Sequence, residues 1–392
     1  MYFLATFYAL VAAGFAATHL LPPEAIRGRA GALALIGIAG IVGLLDLPAT
    51  SLAALAVCVV AVPIGCRIVA ARGTTATMGL LFLAAGPLLL SWFVGKLATA
   101  NGWSRLTPLL FVGASYMLVK TWSLLKDIRD GKTRSPDPVE VLAYLLHLPT
   151  FLVGPMHYFS EFQAELRKPY RIDGEAAVDI AFRLTLGIVK IFGISGLLAP
   201  ASLLALDPAA PVSPLELLWA AIVYGVVLYC DFSGHCDLAI ACSRLMGVNV
   251  PENFNWPYAA ASIREFWRRW HITFSRALTA HVFVPVVRVL QKAWPHSPGT
   301  VSVVGYAATF LLCGFWHGAT ANFLLWGLWH AMGLAAQDAW MRFQRGRGVR
   351  PTGRKSRPQQ ALGIAATFLF VSVGWIFFVL PIDRLATILR LP

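Results

Sequence analysis

Charge is what this sequence has least of. Only 13% of its 392 residues are Asp, Glu, Lys or Arg, and 58% are hydrophobic. A water-soluble domain carries about 25% charged residues, because a surface facing water needs charge and one facing lipid excludes it. The shortage therefore argues against a soluble globular protein. Acidic residues are scarcer still, 19 against 32 basic ones. Cysteine is sparse and unpaired in pattern: Cys58, Cys66, Cys230, Cys236, Cys242 and Cys313 contain no C-x-x-C and fall mostly inside apolar runs. They read as small hydrophobes, so neither a disulfide framework nor a thiolate metal site is supported. No Gly-x-Ser-x-Gly elbow, P-loop or His-rich metal spacing occurs, and no repeat period is visible. No small-residue cleavage site follows Met1–Leu21, so that stretch is read as a retained helix and not a signal peptide.

What is abundant is apolar sequence in long runs. Segments fall at about 1–21, 31–47, 51–70, 77–98, 105–125, 139–156, 176–200, 213–247, 262–286, 300–318, 321–341 and 360–380, many of them near the roughly 20 residues a helix needs to span a bilayer. Lipid offers the backbone no hydrogen-bond partners, so each span must satisfy its own and helix is the expected element. The expectation is an all-α, polytopic integral membrane protein, one domain over 1–392, with about ten or eleven crossings. The +13 net charge sits in loops between these segments, as in positive-inside topology, and not on a nucleic-acid face. Arg27 and Arg29, then Arg67 and Arg72, then Lys126, Arg129, Lys132 and Arg134 occupy alternate loops, placing the N-terminus outside. The stretch 341–358 carries Arg342, Arg345, Arg347, Arg350, Arg354, Lys355 and Arg357 with no acid, a cytoplasmic loop. Arg167, Lys168 and Arg171 break the parity. Either 139–156 is re-entrant or 157–172 lies along the inner interface. Most of the 13 Trp read as interfacial anchors.

Polar residues inside apolar sequence are costly and mark function. Two regions concentrate them. The first opens at Tyr229–Asp237, with Asp231 and Asp237 six residues apart. It passes through Asn249–Pro257, where two prolines and three asparagines oppose helix, and ends at Ser262–Thr273. There Ser262 and Glu265 have capping-box spacing, and Glu265, Arg268 and Arg269 can pair on a helix. Arg264 lies on the same segment, whose amphipathic pattern suggests an interfacial or re-entrant helix with His271 at its end. The second region is Cys313–Thr320, in which Trp316 and His317 lie between Gly314 and Gly318, followed by Trp326–His330.

A histidine with no neighbouring nucleophile suits general-base work: it takes a proton from a hydroxyl as that oxygen attacks an activated acyl carbon. A second histidine or an amide could orient it or hold the developing oxyanion. His317 and His271 are the catalytic candidates. Asp231 and Asp237 read equally as helix-packing or cap residues, and the arginines as interfacial anchors. His19, His147, His157, His235, His281, His296 and His330 read as structural.

At these residues the sequence resembles the membrane-bound O-acyltransferase (MBOAT) family, in its bacterial branch of alginate O-acetyltransferase and teichoic acid D-alanyl transfer proteins. Asp-Phe-Ser-Gly, Pro-Glu-Asn-Phe, Phe-Trp-Arg-Arg-Trp-His and Gly-Phe-Trp-His-Gly follow in family order within about ninety residues. Gly154-Pro155 and Gly374–Phe378 extend the likeness over roughly 140–380. The resemblance implies a ring of helices with re-entrant or interfacial helices around a central funnel, with 136–392 as core and 1–135 as peripheral helices. His317 matches the family's essential histidine and His271 its second. Asn255, Trp316, Asp231, Arg264, Arg268 and Arg269 are candidate substrate contacts. The activity implied is transfer of an acyl group, D-alanyl or acetyl, to a hydroxyl of a surface polymer or an exported relay protein. The donor is a cytoplasmic acyl carrier protein's phosphopantetheine thioester or acyl-CoA. No tightly bound cofactor or metal is implied, and the location is the bacterial inner membrane. The sequence departs from the family at His235, where Tyr is common, and at Met156–Tyr158, where an arginine often follows Gly-Pro. It also lacks a Gly-Gly-Asn-Arg segment after Pro285. The short chain and that gap lean toward the D-alanyl type. The alternative is a transporter or channel lined by Asp231, Asp237 and the histidines; helix breakers at 249–257 favour it, and the missing inverted repeat does not.

Overall fold

The computed structural model describes all residues except 1, 23, 46, 111–112, 135, 170, 208–209, 211, 348–355 and 389–392. Arg350, Arg354 and Lys355 of the basic stretch thus lie outside the described residues. Among the described residues every regular element is helical, as expected where lipid leaves the backbone no other way to satisfy itself. Among the described residues seven helices are long and apolar enough to cross a bilayer: Ile26–Leu44, Ala49–Thr75, Gly174–Ala201, Pro214–Leu245, Ile272–Ala293, Pro298–His317 and Arg357–Val379. Met78–Ala84 and Gly86–Asn101, bent by 70° where Pro87 follows the break, make an eighth if counted as one span. Large side chains on these helices stand exposed, Phe192 at 69% and Leu197 at 80%, as lipid-facing residues do.

Not every apolar stretch became a span. The run 139–156 divides into the eight-residue helix Pro138–Leu145 and a 3-10 turn at Leu148–Thr150, too short to cross as helix. Pro149 and Gly154, the latter at φ +134°, interrupt it. The basic residues that follow belong to the short helix Phe159–Arg167. Two spans contain π-helical turns, Val189–Ser195 and Thr279–Phe283.

The chain forms two compact units. The first comprises Met1–Ile188 and His235–Glu252. Within it Ile26–Leu44 packs against Tyr2–Leu20 and Pro138–Leu145. The contact with the latter is close enough that a Cβ on Gly37 would lie 3.0 Å from the carbonyl carbon of Leu146. Arg29 is not a loop cation: it is buried, and its guanidinium donates to the carbonyls of Leu166, at 2.9 Å, and Lys168, at 3.3 Å. A cation there complements the C-terminal end of Phe159–Arg167. Asp237 and Glu252 share Arg183, which also pairs with Asp179; Asp179 in turn accepts from Arg244. Asp237 is therefore a fixed ion-pair member of this unit.

The second unit comprises Val189–Gly234 and Asn253–Pro392. Its organising feature is a helical hairpin, Pro298–His317 and Ala321–Gly346, turned at Gly318–Thr320. The two helices approach to backbone contact. A Cβ at Gly314 would lie 2.9 Å from the carbonyl carbon of Phe323, and one at Gly327 would lie 2.9 Å from that of Phe310. Lipid tails are as apolar as leucine, so such glycines, which maximise van der Waals contact, drive helix pairing where the hydrophobic effect does not. The hairpin's tightness fixes where its first helix ends, and it ends on His317.

Candidate active site

The second unit assembles the candidate residues from an extended strand, a short helix and the hairpin. Prolines 251 and 257 keep the strand out of helix, since proline disfavours α conformation in the residue before it. The strand bridges a distant segment: the Asn255 amide donates to the Arg269 carbonyl at 3.0 Å, and the Ile272 amide donates to the Asn253 carbonyl at 2.9 Å. Between them Ile263–Arg269 forms a short helix. Ser262 caps it, accepting from the Glu265 amide at 3.3 Å, while the Glu265 carboxylate reaches the Ala261 amide at 2.9 Å instead of that of Ser262. Glu265 also pairs with Arg269 at 2.6 Å, the i,i+4 partnership the spacing predicts.

His271 sits where this helix ends and Ile272–Leu278 begins. Its backbone lies at φ +42°, a left-handed conformation that costs a non-glycine residue about 1–3 kcal/mol and tends to occur at functional sites. The side chain is 4% exposed. Its ring meets Phe232 edge-on at 4.8 Å and Phe274 at 5.0 Å. Phe274 then meets Trp316 at 4.4 Å with its ring tilted by 33°, and Trp316 lies edge-on to His317 at 4.7 Å. The two histidines, 46 positions apart in sequence, are thus joined by two aromatic rings; burial first, and then the charge of His317, hold His271 below the usual imidazole range. His317 is only half-buried. Its ring is boxed by Trp326 at 5.2 Å, Phe378 at 4.9 Å and Phe323 at 6.3 Å. An imidazole in a largely aromatic, low-dielectric enclosure with one open side is suited to take a proton from a substrate hydroxyl.

The other candidates divide. Trp316 belongs to this cluster. Arg264 does not reach toward it: its guanidinium donates to the Tyr306 hydroxyl at 3.1 Å and to Asp338 at 3.2 Å, and Asp338 also pairs with Arg342 at 2.7 Å. Arg269 is held by Glu265. Arg268 is exposed, as are Asn255 and Trp256. Asp231 lies on Pro214–Leu245 beside Phe232, the residue that touches His271. Asp237 is not a member of the cluster.

Two features were missed. Asn253, two positions before the asparagine chosen from sequence, is 1% exposed and bonds His271 directly. His330 is fully buried among Trp267, Trp326 and Phe370, with no hydrogen-bond partner for either ring nitrogen among the described residues. The helix breakers around Asn253 flagged the strand, but nothing local distinguished one asparagine from the other.

Comparison with known proteins identifies the family. The model of the MBOAT, membrane-bound O-acyltransferase family matches residues 88–379. The chain belongs to that family: it is a multi-pass membrane enzyme that transfers acyl groups to hydroxyls. A teichoic acid D-alanyltransferase of Streptococcus thermophilus is 33% identical over 312 residues, 76% of this chain and 74% of that one. A peptidoglycan O-acetyltransferase of Helicobacter pylori is 30% identical, covering 60% of this chain and 42% of that protein. A probable alginate O-acetylase of Pseudomonas aeruginosa is also 30% identical, over 69% and 49%.

Proposed function

We propose that the protein moves a small acyl group, D-alanyl or acetyl, from a cytoplasmic thioester across the bacterial inner membrane to a hydroxyl of a cell-surface polymer or a relay protein. The thioester is that of an acyl carrier protein or of CoA. The observation that carries this reading is the pairing of a half-open His317 with a buried His271 through Phe274 and Trp316. His317 takes the proton of the acceptor hydroxyl as its oxygen bonds to the thioester carbon. The tetrahedral adduct then collapses, the C–S bond breaks, and the thiolate leaves and is protonated. No covalent enzyme intermediate is needed, since a thioester is already activated. His271 assists beside it. Arg268, exposed on the short helix before His271, is the arginine of its cluster best placed to meet an acidic carrier or CoA phosphates. The relatives support both acyl groups by name. The D-alanyl type is favoured because the alignment covers 74% of that relative and under half of either O-acetylating one.

The test is His317→Ala in membranes where the variant folds, supplied with D-alanyl carrier protein or acetyl-CoA. The expected loss is about 10²–10⁴-fold, the range of general-base catalysis. Undiminished transfer would reject the assignment.

A further inference from the structure

The side chain of Asn253 is surrounded by donors. Its Oδ1 receives the backbone amide of Thr273 at 3.2 Å, the Thr273 hydroxyl at 2.8 Å and faces His271 Nδ1 at 3.1 Å. The orientation of an asparagine amide is ordinarily a choice between two look-alike atoms. Here the choice is forced. A backbone amide can only donate, so the atom facing Thr273 N must be the oxygen. That same oxygen faces the imidazole, and an oxygen without hydrogen can only accept, so Nδ1 of His271 must carry the proton. In neutral imidazole the other nitrogen is then a bare lone pair. His271 Nε2 is buried and makes no hydrogen bond among the described residues, and buried polar atoms are nearly always partnered. A nitrogen enclosed between Phe232 and Phe274 with its lone pair unspent is a place kept for a donor brought by a ligand, a water or the proton in transit.

We infer that Asn253 is a positioning residue: its side-chain carbonyl fixes His271 as the Nδ1–H tautomer, so that Nε2 presents an obligate hydrogen-bond acceptor to the reaction. This rests on the acyl-transfer reading and sharpens it. A neutral His271 held this way does not donate to an oxyanion. It accepts, from the acceptor hydroxyl. The charged and titratable groups on the elements around it are His317 from the hairpin, Asp231 beside Phe232, and Arg268, Arg269 and Arg276 on the two short helices that flank it. Burial first, and then the charge of His317, disfavour a cation on the ring. His271 therefore stays neutral while His317 carries the proton.

The test uses the full-length protein in detergent with 15N-labelled histidine. The His271 signals are identified by their absence from His271→Gln, and the one-bond and two-bond 15N–1H couplings report the tautomer. The wild type is expected to show a proton on Nδ1. Asn253→Leu, close in size but without an acceptor, is expected to lose that preference and to lower kcat by about 10²-fold with KM little changed. Asn253→Asp keeps an oxygen at the same place and is expected to retain the tautomer and recover most of the rate. Thr273→Val removes the hydroxyl bond to the same Asn253 oxygen but leaves the backbone amide bonded to it, and is expected to keep the His271 proton on Nδ1. If Asn253→Leu does not fold, the wild-type tautomer and the other two variants still decide. A proton found on Nε2 in the wild type overturns the inference, as does full activity in a folded Asn253→Leu. The tautomer is read without substrate, so its failure is separate from that of the acyl-transfer reading, which is decided by His317→Ala.

Discussion

Gly314→Ala is the sharpest perturbation of the hairpin that ends on His317. The added methyl would stand 2.9 Å from the Phe323 carbonyl carbon and nearer still to its oxygen, inside the 3.0 Å that real Cβ contacts respect. The obstacle is backbone in the first turn of Ala321–Gly346, so no rotamer change relieves it; the helices must part, by about 1 Å. Overpacking of this kind costs about 1–3 kcal/mol. The larger consequence is catalytic, because His317 lies three residues on, less than one turn away. A displacement of about 1 Å at a reacting group lowers rates on the order of 10²-fold. Gly43→Ala is the matched control: it is exposed on Ile26–Leu44, a Cβ there meets nothing within 4 Å, and alanine favours helix over glycine by about 1 kcal/mol. Thermal unfolding in detergent and acyl transfer in membranes should be measured together. The expected pattern is a destabilised, slow Gly314→Ala beside an unharmed Gly43→Ala. A Gly314→Ala protein as stable and active as the wild type would refute the claim that this helix contact places the histidine.

Other outcomes follow from the same structure. Asp137 caps Pro138–Leu145, accepting from the Val139 amide at 2.9 Å and pairing with Arg27 at 2.6 Å. Burial pushes its carboxyl up, but the Val139 amide and the Arg27 guanidinium outweigh it and leave the pKa below the usual range. Asp137→Ala should cost about 1 kcal/mol; the difference from wild type should be full above the ordinary carboxylate pKa and vanish as pH falls through the depressed one. Arg183→Gln removes the partner shared by Asp179, Asp237 and Glu252 and should destabilise by about 1 kcal/mol, since Asp179 keeps Arg244 and Glu252 is largely exposed. Adding Asp237→Asn should recover part of that in a denaturation series, and strict additivity would count against the network. Trp316→Leu removes the ring between Phe274 and His317 and should lower kcat more than it lowers the melting temperature.

Much of the fold was legible because lipid imposes so few choices. Long apolar runs with little charge can only be helices, and runs such as 360–380 and 300–318 reappear as Arg357–Val379 and Pro298–His317. The count of ten or eleven crossings was read from composition, which does not see a bend. The stretch 139–156 is as apolar as a span, yet Pro149 and Gly154 break it. Arg29 looked like a loop cation and is instead a buried cap for another helix's carbonyls, a non-local bond that loop charge does not foretell. At the site, the two histidines stood out because ionisable groups in apolar sequence are expensive. Their proximity did not, since it depends on Phe274 and Trp316 meeting across 42 positions. Asn253 is buried and Asn255 exposed, although regular extended backbone would put residues two apart on one face, so local pattern did not tell them apart. The pairing with Arg269 and Ile272 that turns Asn253 inward is itself long-range.

The π-helical turns at Val189–Ser195 and Thr279–Phe283 carry a different lesson, about how this chain tolerates change in length. Each turn holds about one residue more than an α-helical turn, and a residue in a helix is worth about 100° of rotation. Removing one amino acid from Thr279–Phe283 would let the segment relax to ordinary helix while Val284–Ala293 keeps its facing. The same deletion a few positions away would swing every lipid-facing side chain beyond it inward. Single-residue gaps between this protein and its relatives should therefore gather at these two places, and a deletion scan should find its permissive positions there.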